Sequence, residues 1–185
     1  MSNRENQRVR LTKSLLKNSL IELMQSKPIH KLTIKELCEH AGINRSTFYL
    51  NYKDQFDLLE DIEQEVMLQV RGHIERIVGN FQLLQGLLEY VKDNGRVFSV
   101  LLGPTGNSSF PSSFVSSAIT TLRANLLLTG SEAQSDYIYH YLTIGCLSMI
   151  SQWIDRGFDL STKELSDMIF MLSDGAASVY SNKNT

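Results

Sequence analysis

The segment from Leu32 to Tyr49 carries the start and stop signals of two short helices in close succession. Thr33 and Glu36 stand three residues apart, as in a capping box, where each satisfies a free backbone amide of the other. Gly42 can adopt the left-handed conformation that ends a helix, and Asn44 is a favourable residue to begin the next one. Two short helices joined by a three-residue turn with a glycine predict a helix-turn-helix.

The rest of the chain also favours helices. Apolar residues recur at spacings of three and four, and no stretch alternates convincingly between apolar and polar residues as a strand does. The 3 Pro and 11 Gly are few for an all-β chain, whose turns consume both. We therefore expect an all-α fold, with an N-terminal three-helix helix-turn-helix domain over residues 8–68. A C-terminal helical domain for regulation and dimerisation is expected over residues 69–185.

Charge is distributed unevenly along the chain. Residues 1–55 hold ten Lys or Arg and five Asp or Glu, a net charge of +5, whereas the remaining residues have a net charge of −7. A basic module on an acidic body is typical of a protein that faces nucleic acid, although chance also produces such gradients.

The second helix of a helix-turn-helix lies in the major groove of DNA, with its first residues at the base edges. Arg45 can form a bidentate pair with guanine, and Ser46 and Thr47 can meet several base edges or a thymine methyl. Other side chains suit phosphate oxygens or stand at a helix N-terminus that favours a phosphate; these are Thr33, Lys35, Tyr49, Tyr52 and Lys53.

The run from Leu32 to Asp54 closely resembles the TetR family of bacterial transcriptional regulators, in its Ala-Gly turn, its Ser-Thr-Phe-Tyr sequence and its Tyr-Lys-Asp sequence. The resemblance covers about residues 8–68. It implies a homodimer that binds double-stranded operator DNA and that a small molecule usually releases. The family's DNA-contact positions fall on Lys35, Arg45, Ser46, Thr47, Tyr49 and Asn51. With the residues above and Asn44, the predicted DNA-binding set is Thr33, Lys35, Asn44, Arg45, Ser46, Thr47, Tyr49, Asn51, Tyr52 and Lys53.

The sequence departs from the family pattern at three positions. Asn51 and Tyr52 stand where the family commonly has His and Phe. Gln55 stands where a phosphate-binding lysine usually begins the fourth helix. Lys53 can substitute for that lysine.

The C-terminal part resembles the regulatory domain of one subgroup of the family, that of the activator of dihydroxyacetone kinase genes, in residues 97–103 and 145–157. That resemblance implies control through a partner protein instead of a small ligand. Two hypotheses therefore stay open: a palindrome-binding repressor released by a small-molecule effector, and an activator controlled by a protein docked on the C-terminal domain. A third class is a helical interaction protein without DNA binding, against which Arg45 and the +5 charge weigh.

A single helix-turn-helix makes too few base contacts for high specificity, so a two-fold dimer is expected. Apolar and small residues recur on the last two predicted helices, where pairing with a second copy would give a four-helix interface. The predicted interface residues are Tyr137, Gly145, Ser148, Leu165, Met168, Ile169, Leu172 and Ala176. Aromatic residues that either line a ligand pocket or form ordinary core are Phe98, Phe110, Phe114, Tyr141 and Trp153.

Several other functions are disfavoured. No nucleophile–base arrangement or glycine-rich phosphate loop is apparent, so neither an enzyme nor a bound cofactor is expected. The four His and two Cys share no metal-ligand spacing, so no metal site is expected. The polar start of the chain lacks the features of a signal peptide, and no apolar run is long enough to span a bilayer. We therefore expect a cytoplasmic protein that does not bind membranes.

Overall fold

The computed structural model describes residues 3–77, 83–103, 109–126 and 128–178, and these residues form helices and no strand. The helices are α1 (Asn3–Met24), α2 (Ile34–Ala41), α3 (Arg45–Tyr49), α4 (Gln55–Ile77), α5 (Leu84–Asp93), α6 (Gly95–Leu102), α7 (Phe110–Asn125), α8 (Glu132–Asp155) and α9 (Thr162–Ser178). The expected all-α fold is confirmed. None of these described helices is long and apolar enough to cross a membrane.

The chain divides into two compact units. The N-terminal unit holds the described residues up to 66 together with those from 96 to 103. The C-terminal unit holds the described residues from 67 to 95 and from 109 onward. The segment from 96 to 103 thus groups with the N-terminal unit, although it lies beyond residue 68, where the N-terminal domain was predicted to end. The two predicted domains, residues 8–68 and 69–185, stay a prediction.

The N-terminal unit is built around the apolar stripe of α1. Leu16, Leu20 and Met24 follow one another at spacings of four along one helix face and are fully buried. Helix α1 packs against α2, and α2 packs against α3. Helix α1 ends at Met24, shortly before Pro28, which lacks the amide hydrogen that a continued helix requires.

The turn between α2 and α3 has the geometry that the sequence predicts. Thr33 and Glu36 form a complete capping box at the start of α2. At its end, Gly42 adopts a left-handed conformation with φ 67°, and the Ile43 amide donates to the Cys38 carbonyl at 2.9 Å. This is a Schellman motif, which requires a residue that tolerates positive φ. The motif sets the angle at which the chain enters α3.

The C-terminal unit is held by α8, which packs against both α7 and α9, while α5 also packs against α9. Helix α8 ends in a second Schellman motif, in which Gly157 has φ 69° and the Phe158 amide donates to the Trp153 carbonyl at 2.9 Å. The Phe158 ring contacts Trp153 edge-on at 4.8 Å between centroids, and the Trp153 indole donates to the Leu160 carbonyl. These contacts fix the turn that leads from α8 into α9.

Candidate nucleic-acid interface

Helix α3 has one buried side and one exposed side. Phe48 is fully buried, whereas Arg45, Ser46 and Tyr49 are exposed, Tyr49 to 57%. The ring of Phe48 contacts that of Tyr49 edge-on at 5.5 Å, so the buried residue supports the aromatic side chain beside it. Thr47 is half-buried. The structure therefore brings the predicted base-reading residues together on one accessible surface.

Arg45 is the cation at the start of this surface. No carboxylate in the described part of the chain forms an ion pair with it, so its guanidinium keeps its donors for another molecule. A planar guanidinium matches the two acceptors of a guanine edge or the oxygens of a phosphate. Asn44, directly before it, is exposed and occupies the N-cap position of α3 without making a side-chain capping hydrogen bond.

The start of α2 is already occupied by an acidic side chain. The Thr33 hydroxyl accepts from the Glu36 amide at 3.2 Å, and the Glu36 carboxylate accepts from the Thr33 amide at 3.4 Å. Hydrogen bonding to Lys27 and to the Thr33 backbone holds the pKa of Glu36 below its ordinary value. A carboxylate therefore stands where a phosphate was predicted at Thr33. Lys35 is exposed and lies 3.8 Å from Glu39, one turn away.

The two predicted contacts after α3 differ in availability. The Asn51 side-chain amide donates to the Thr47 carbonyl at 2.9 Å, so part of its hydrogen-bonding capacity serves the end of α3. Lys53 is exposed, and its backbone amide donates to the Asp57 carboxylate at 2.8 Å. That hydrogen bond fixes the backbone at Lys53 and leaves its ammonium group outside any ion pair of the described residues.

Tyr52 is a correction to the predicted set. Its side chain is only 4% exposed, and its hydroxyl donates to Asp61 at 2.7 Å. Burial and the hydrogen bond to the Asp61 carboxylate raise the pKa of Tyr52 well above its ordinary value. Because the hydroxyl is paired inside the N-terminal unit, Tyr52 serves the core instead of a phosphate.

Tyr52 belongs to a charged network between α1 and α4. Lys17 lies 3.0 Å from Asp61 and 2.6 Å from Glu65, and Lys13 lies 3.7 Å from Asp61. Partial burial acts to raise the pKa of Asp61, but the hydrogen bonds from Tyr52 and Lys17 and the lysine charges outweigh it and lower that pKa. This network was not predicted from the sequence, although the lysines and the acids are each spaced one helical turn apart, which places each pair on one helix face.

The five aromatic residues predicted for a ligand pocket differ in the unit to which they belong and in their exposure. Phe98 belongs to the N-terminal unit and is buried, and Trp153 packs against the turn after α8. Phe110 and Phe114 are buried on α7 with ring centroids 6.4 Å apart, whereas Tyr141 is exposed on α8. The expectation of one shared pocket is corrected for the C-terminal unit, because Phe110, Phe114 and Trp153 are core there and Tyr141 faces solvent.

A different surface on the C-terminal unit is concave. An open groove of about 970 Å³ runs between α7 and α8. Apolar side chains supply much of its lining, and Arg123 and His140 add polar groups; the apolar members are Pro111, Val115, Ile119, Ala124, Ile144 and Leu147. Arg123 is held by Asp136 at 2.7 Å.

The predicted dimer residues divide between two sides of α9. Leu165 and Ile169 are buried within the C-terminal unit, whereas Met168 and Leu172 are exposed. Met171, which the sequence analysis did not select, is also exposed. The correction is that Leu165 and Ile169 point into the unit's own core, so the free apolar stripe of α9 runs through residues 168, 171 and 172.

Helix α8 has a comparable exposed stripe. Tyr137, Tyr141 and Ile144 follow at spacings of four and three and are exposed, and Ser148 continues the stripe one turn later. A Cβ added at Gly145 would meet no atom within 4 Å, so the surface beside this stripe is open. Ala176 on α9 is half-buried. We define the outer face as residues 137, 141, 144 and 148 of α8 with 168, 171 and 172 of α9.

Comparison with known proteins places these features in a protein class. A family model described as bacterial regulatory proteins, tetR family, matches residues 19–62. A second, described as a transcriptional regulator C-terminal region, matches residues 80–175. The uncharacterized HTH-type transcriptional regulator YxbF of Bacillus subtilis is 22% identical over 166 residues. The match covers 85% of this chain and 43% of YxbF, so the chain spans less than half of that relative.

Two solved structures share the fold over nearly their whole length. A TetR transcriptional regulator from Streptococcus agalactiae has a TM-score of 0.67 at 19% identity, covering 91% of this chain and 97% of that one. The dihydroxyacetone kinase operon activator DhaS has a TM-score of 0.62 at 19% identity, covering 92% of this chain and 98% of its own. The architecture of a helix-turn-helix followed by a helical domain is therefore common to all three chains.

Proposed function

Since this chain belongs to the TetR family of bacterial transcriptional regulators, we propose that it acts in the cytoplasm as a homodimeric repressor that binds a palindromic operator. The observation that carries the proposal is the two-sided helix α3. Phe48 anchors it from within, and Arg45, Ser46 and Tyr49 face outward. A short helix held rigidly with a free guanidinium at its first turn suits readout of base edges.

Phosphate contacts would then set the position of α3 on the duplex. Lys35 and Lys53 are exposed cations on either side of α3 in the sequence, and the Tyr49 hydroxyl adds a hydrogen-bond donor. Such contacts carry no base identity but fix register and orientation. Asn44, Thr47 and Asn51 remain in the proposed set as contacts through their exposed or half-buried polar groups. Thr33, whose hydroxyl and amide are bound to Glu36, and the buried Tyr52 do not.

Dimerisation through the outer face would supply the second half-site. This face presents large apolar side chains to water, among them Tyr137, Met171 and Leu172. Each of the two stripes repeats large exposed apolar side chains along one helix, and large exposed apolar patches mark interaction sites. Two copies related by a two-fold axis would bury the same face on both sides.

We propose that a small-molecule effector releases the repressor, with the apolar groove between α7 and α8 as its candidate site. The second candidate is control by a protein partner, as an activator. It is favoured by the openness of that groove, because a small ligand is usually enclosed on most sides, and by the fold shared with DhaS, which is named an activator.

The test is recovery of bound DNA with the full-length protein. Sheared genomic fragments are incubated with the wild type and with Arg45→Ala, and the bound fragments are sequenced. The proposal predicts a palindromic motif whose half-sites are about one helical turn apart or a multiple of it, enriched by the wild type and weakened by the variant. Recovery of no fragment above background by either protein would instead favour a helical interaction protein without DNA binding.

A further inference from the structure

Leu50 is 85% exposed, and no other large apolar side chain among the described residues is more exposed. It directly follows α3 and keeps a helical backbone conformation, with φ −72° and ψ −20°. Its amide donates to the Ser46 carbonyl at 3.2 Å. Leu50 therefore extends the last turn of α3, and its side chain projects as a helical side chain does.

The position of Leu50 on the helix places it on the exposed side. Residues four apart lie on the same face of a helix, so Leu50 lies beside Ser46 and follows Tyr49. The opposite side is occupied by Phe48, which is fully buried. Leu50 thus adds an apolar group to the surface on which Arg45 and Tyr49 stand.

The surroundings of Leu50 point to DNA as its partner. Arg45 and Lys53 are exposed cations outside any ion pair of the described residues, and residues 1–55 carry a net charge of +5. Exposed cations such as Arg45 and Lys53 attract a polyanion. The leucine side chain has no N–H or O–H group to offer a phosphate. The apolar group that the major groove presents is the C5 methyl of thymine.

We propose that Leu50 recognises a thymine methyl in each half-site, as a specificity-determining contact separate from the polar contacts of Arg45. The inference rests on the proposed DNA-binding function. It assigns one A·T base pair per half-site to an apolar contact at the end of α3. Specificity at that base pair then depends on one methyl group.

The experiment is a double-mutant cycle between the protein and the DNA. The probe is the palindromic duplex that full-length protein selects from a random-sequence pool, with thymines replaced one position at a time, in both half-sites, by deoxyuridine, which lacks only the methyl. At one position the wild type should lose about threefold to fourfold in affinity per half-site, the value of burying one methyl. At that position Leu50→Ala should bind the thymine and the deoxyuridine duplexes with equal affinity, because the variant lacks the side chain that contacts the methyl.

Leu68→Ala is the matched control, since Leu68 is a comparably exposed leucine on α4. It should bind every duplex as the wild type does, and melting curves should show both variants folded. If Leu50→Ala weakens thymine and deoxyuridine duplexes equally at all positions, or not at all, the inference is overturned while DNA binding stands. If no palindrome is selected, the proposed function fails and the inference with it.

Discussion

The helix-turn-helix and the α8–α9 pair show two ways in which apolar residues are placed in this chain. In the helix-turn-helix, Phe48 is the apolar side chain of α3 that is buried, and the other side of the helix is polar apart from Tyr49 and Leu50, which directly follows the helix. In α9, apolar side chains surround the helix, with Ile169 buried and Leu172 62% exposed. The first arrangement buries its one core side chain within the unit, whereas the second leaves several large apolar side chains along one helix exposed.

The largest expected effect comes from charging the outer face. Leu172→Glu places a carboxylate and its symmetry copy in the proposed interface, where desolvation and like charge oppose association. Because Leu172 is exposed in the single chain, the variant should stay folded and become a monomer in sedimentation. Operator affinity should fall by about 10² or more, since two half-sites are no longer engaged by one body.

Leu68→Glu is the control for that change, since Leu68 lies on α4, outside the outer face, with similar exposure. It should leave the sedimentation coefficient unchanged. A Leu172→Glu protein that stays dimeric and binds operator normally would place the dimer interface elsewhere.

The next largest effect is expected for a substitution in the helix-turn-helix. Arg45→Ala removes the free guanidinium and should cost about 1–3 kcal/mol of operator binding, with relaxed preference at one base pair. Binding to duplexes with every base tested at that position measures both quantities. A large drop in the melting temperature would show instead that Arg45 supports the fold.

A smaller effect is expected for Tyr49→Phe. Removing the hydroxyl deletes one hydrogen bond to a phosphate, worth about 0.5–1.5 kcal/mol. The loss should be the same for all sequences, because a phosphate carries no base identity. If affinity fell only for duplexes with one particular base, the Tyr49 hydroxyl would contact that base and not a phosphate.

The smallest effect is expected for the charged network between α1 and α4. The pKa of Asp61 is lowered in the folded protein, so its ionised form stabilises the fold at pH values above the unfolded pKa of about 3.9. That stabilisation is lost as the pH falls through the lower, folded pKa. Asp61→Asn should therefore lower the free energy of unfolding by about 1 kcal/mol or less near neutral pH, since the pair is partly exposed.

The difference between Asp61→Asn and wild type should shrink below about pH 4. Chemical denaturation at a series of pH values measures it, with Glu65→Gln as a more exposed comparison on the same helix. A difference that grows toward acid pH would contradict the network described between α1 and α4.

Features that depend on neighbouring residues in the sequence could be predicted, whereas contacts between distant segments could not. Thr33, Glu36 and Gly42 act on groups within a few residues of themselves, so the capping box and the left-handed Gly42 were predictable from the sequence and are confirmed. Tyr52 is buried, and the partner of its hydroxyl is Asp61, on the next helix. A pattern that fits either a phosphate contact or a core aromatic could not decide between them.

The stripe on α9 was harder for a different reason. Leu165, Met168, Ile169 and Leu172 are all apolar and spaced by three or four, so periodicity marks them as one set. Their division into buried and exposed members depends on where α5 and α8 pack against the helix. Helical periodicity identifies an apolar helix, but a helix that is apolar on more than one side needs its neighbours to be known.

Exposed cations around α3 are proposed to form the DNA-binding surface of a dimer, and the salt dependence of binding to the selected palindromic duplex tests this proposal. Each neutralised phosphate contributes a slope of about −0.9 in log K against log salt concentration. Lys35 and Lys53 of two protomers alone give a slope of about −4, and a scrambled duplex should compete poorly. Affinity that is flat with salt, or equal competition by scrambled DNA, would contradict the account.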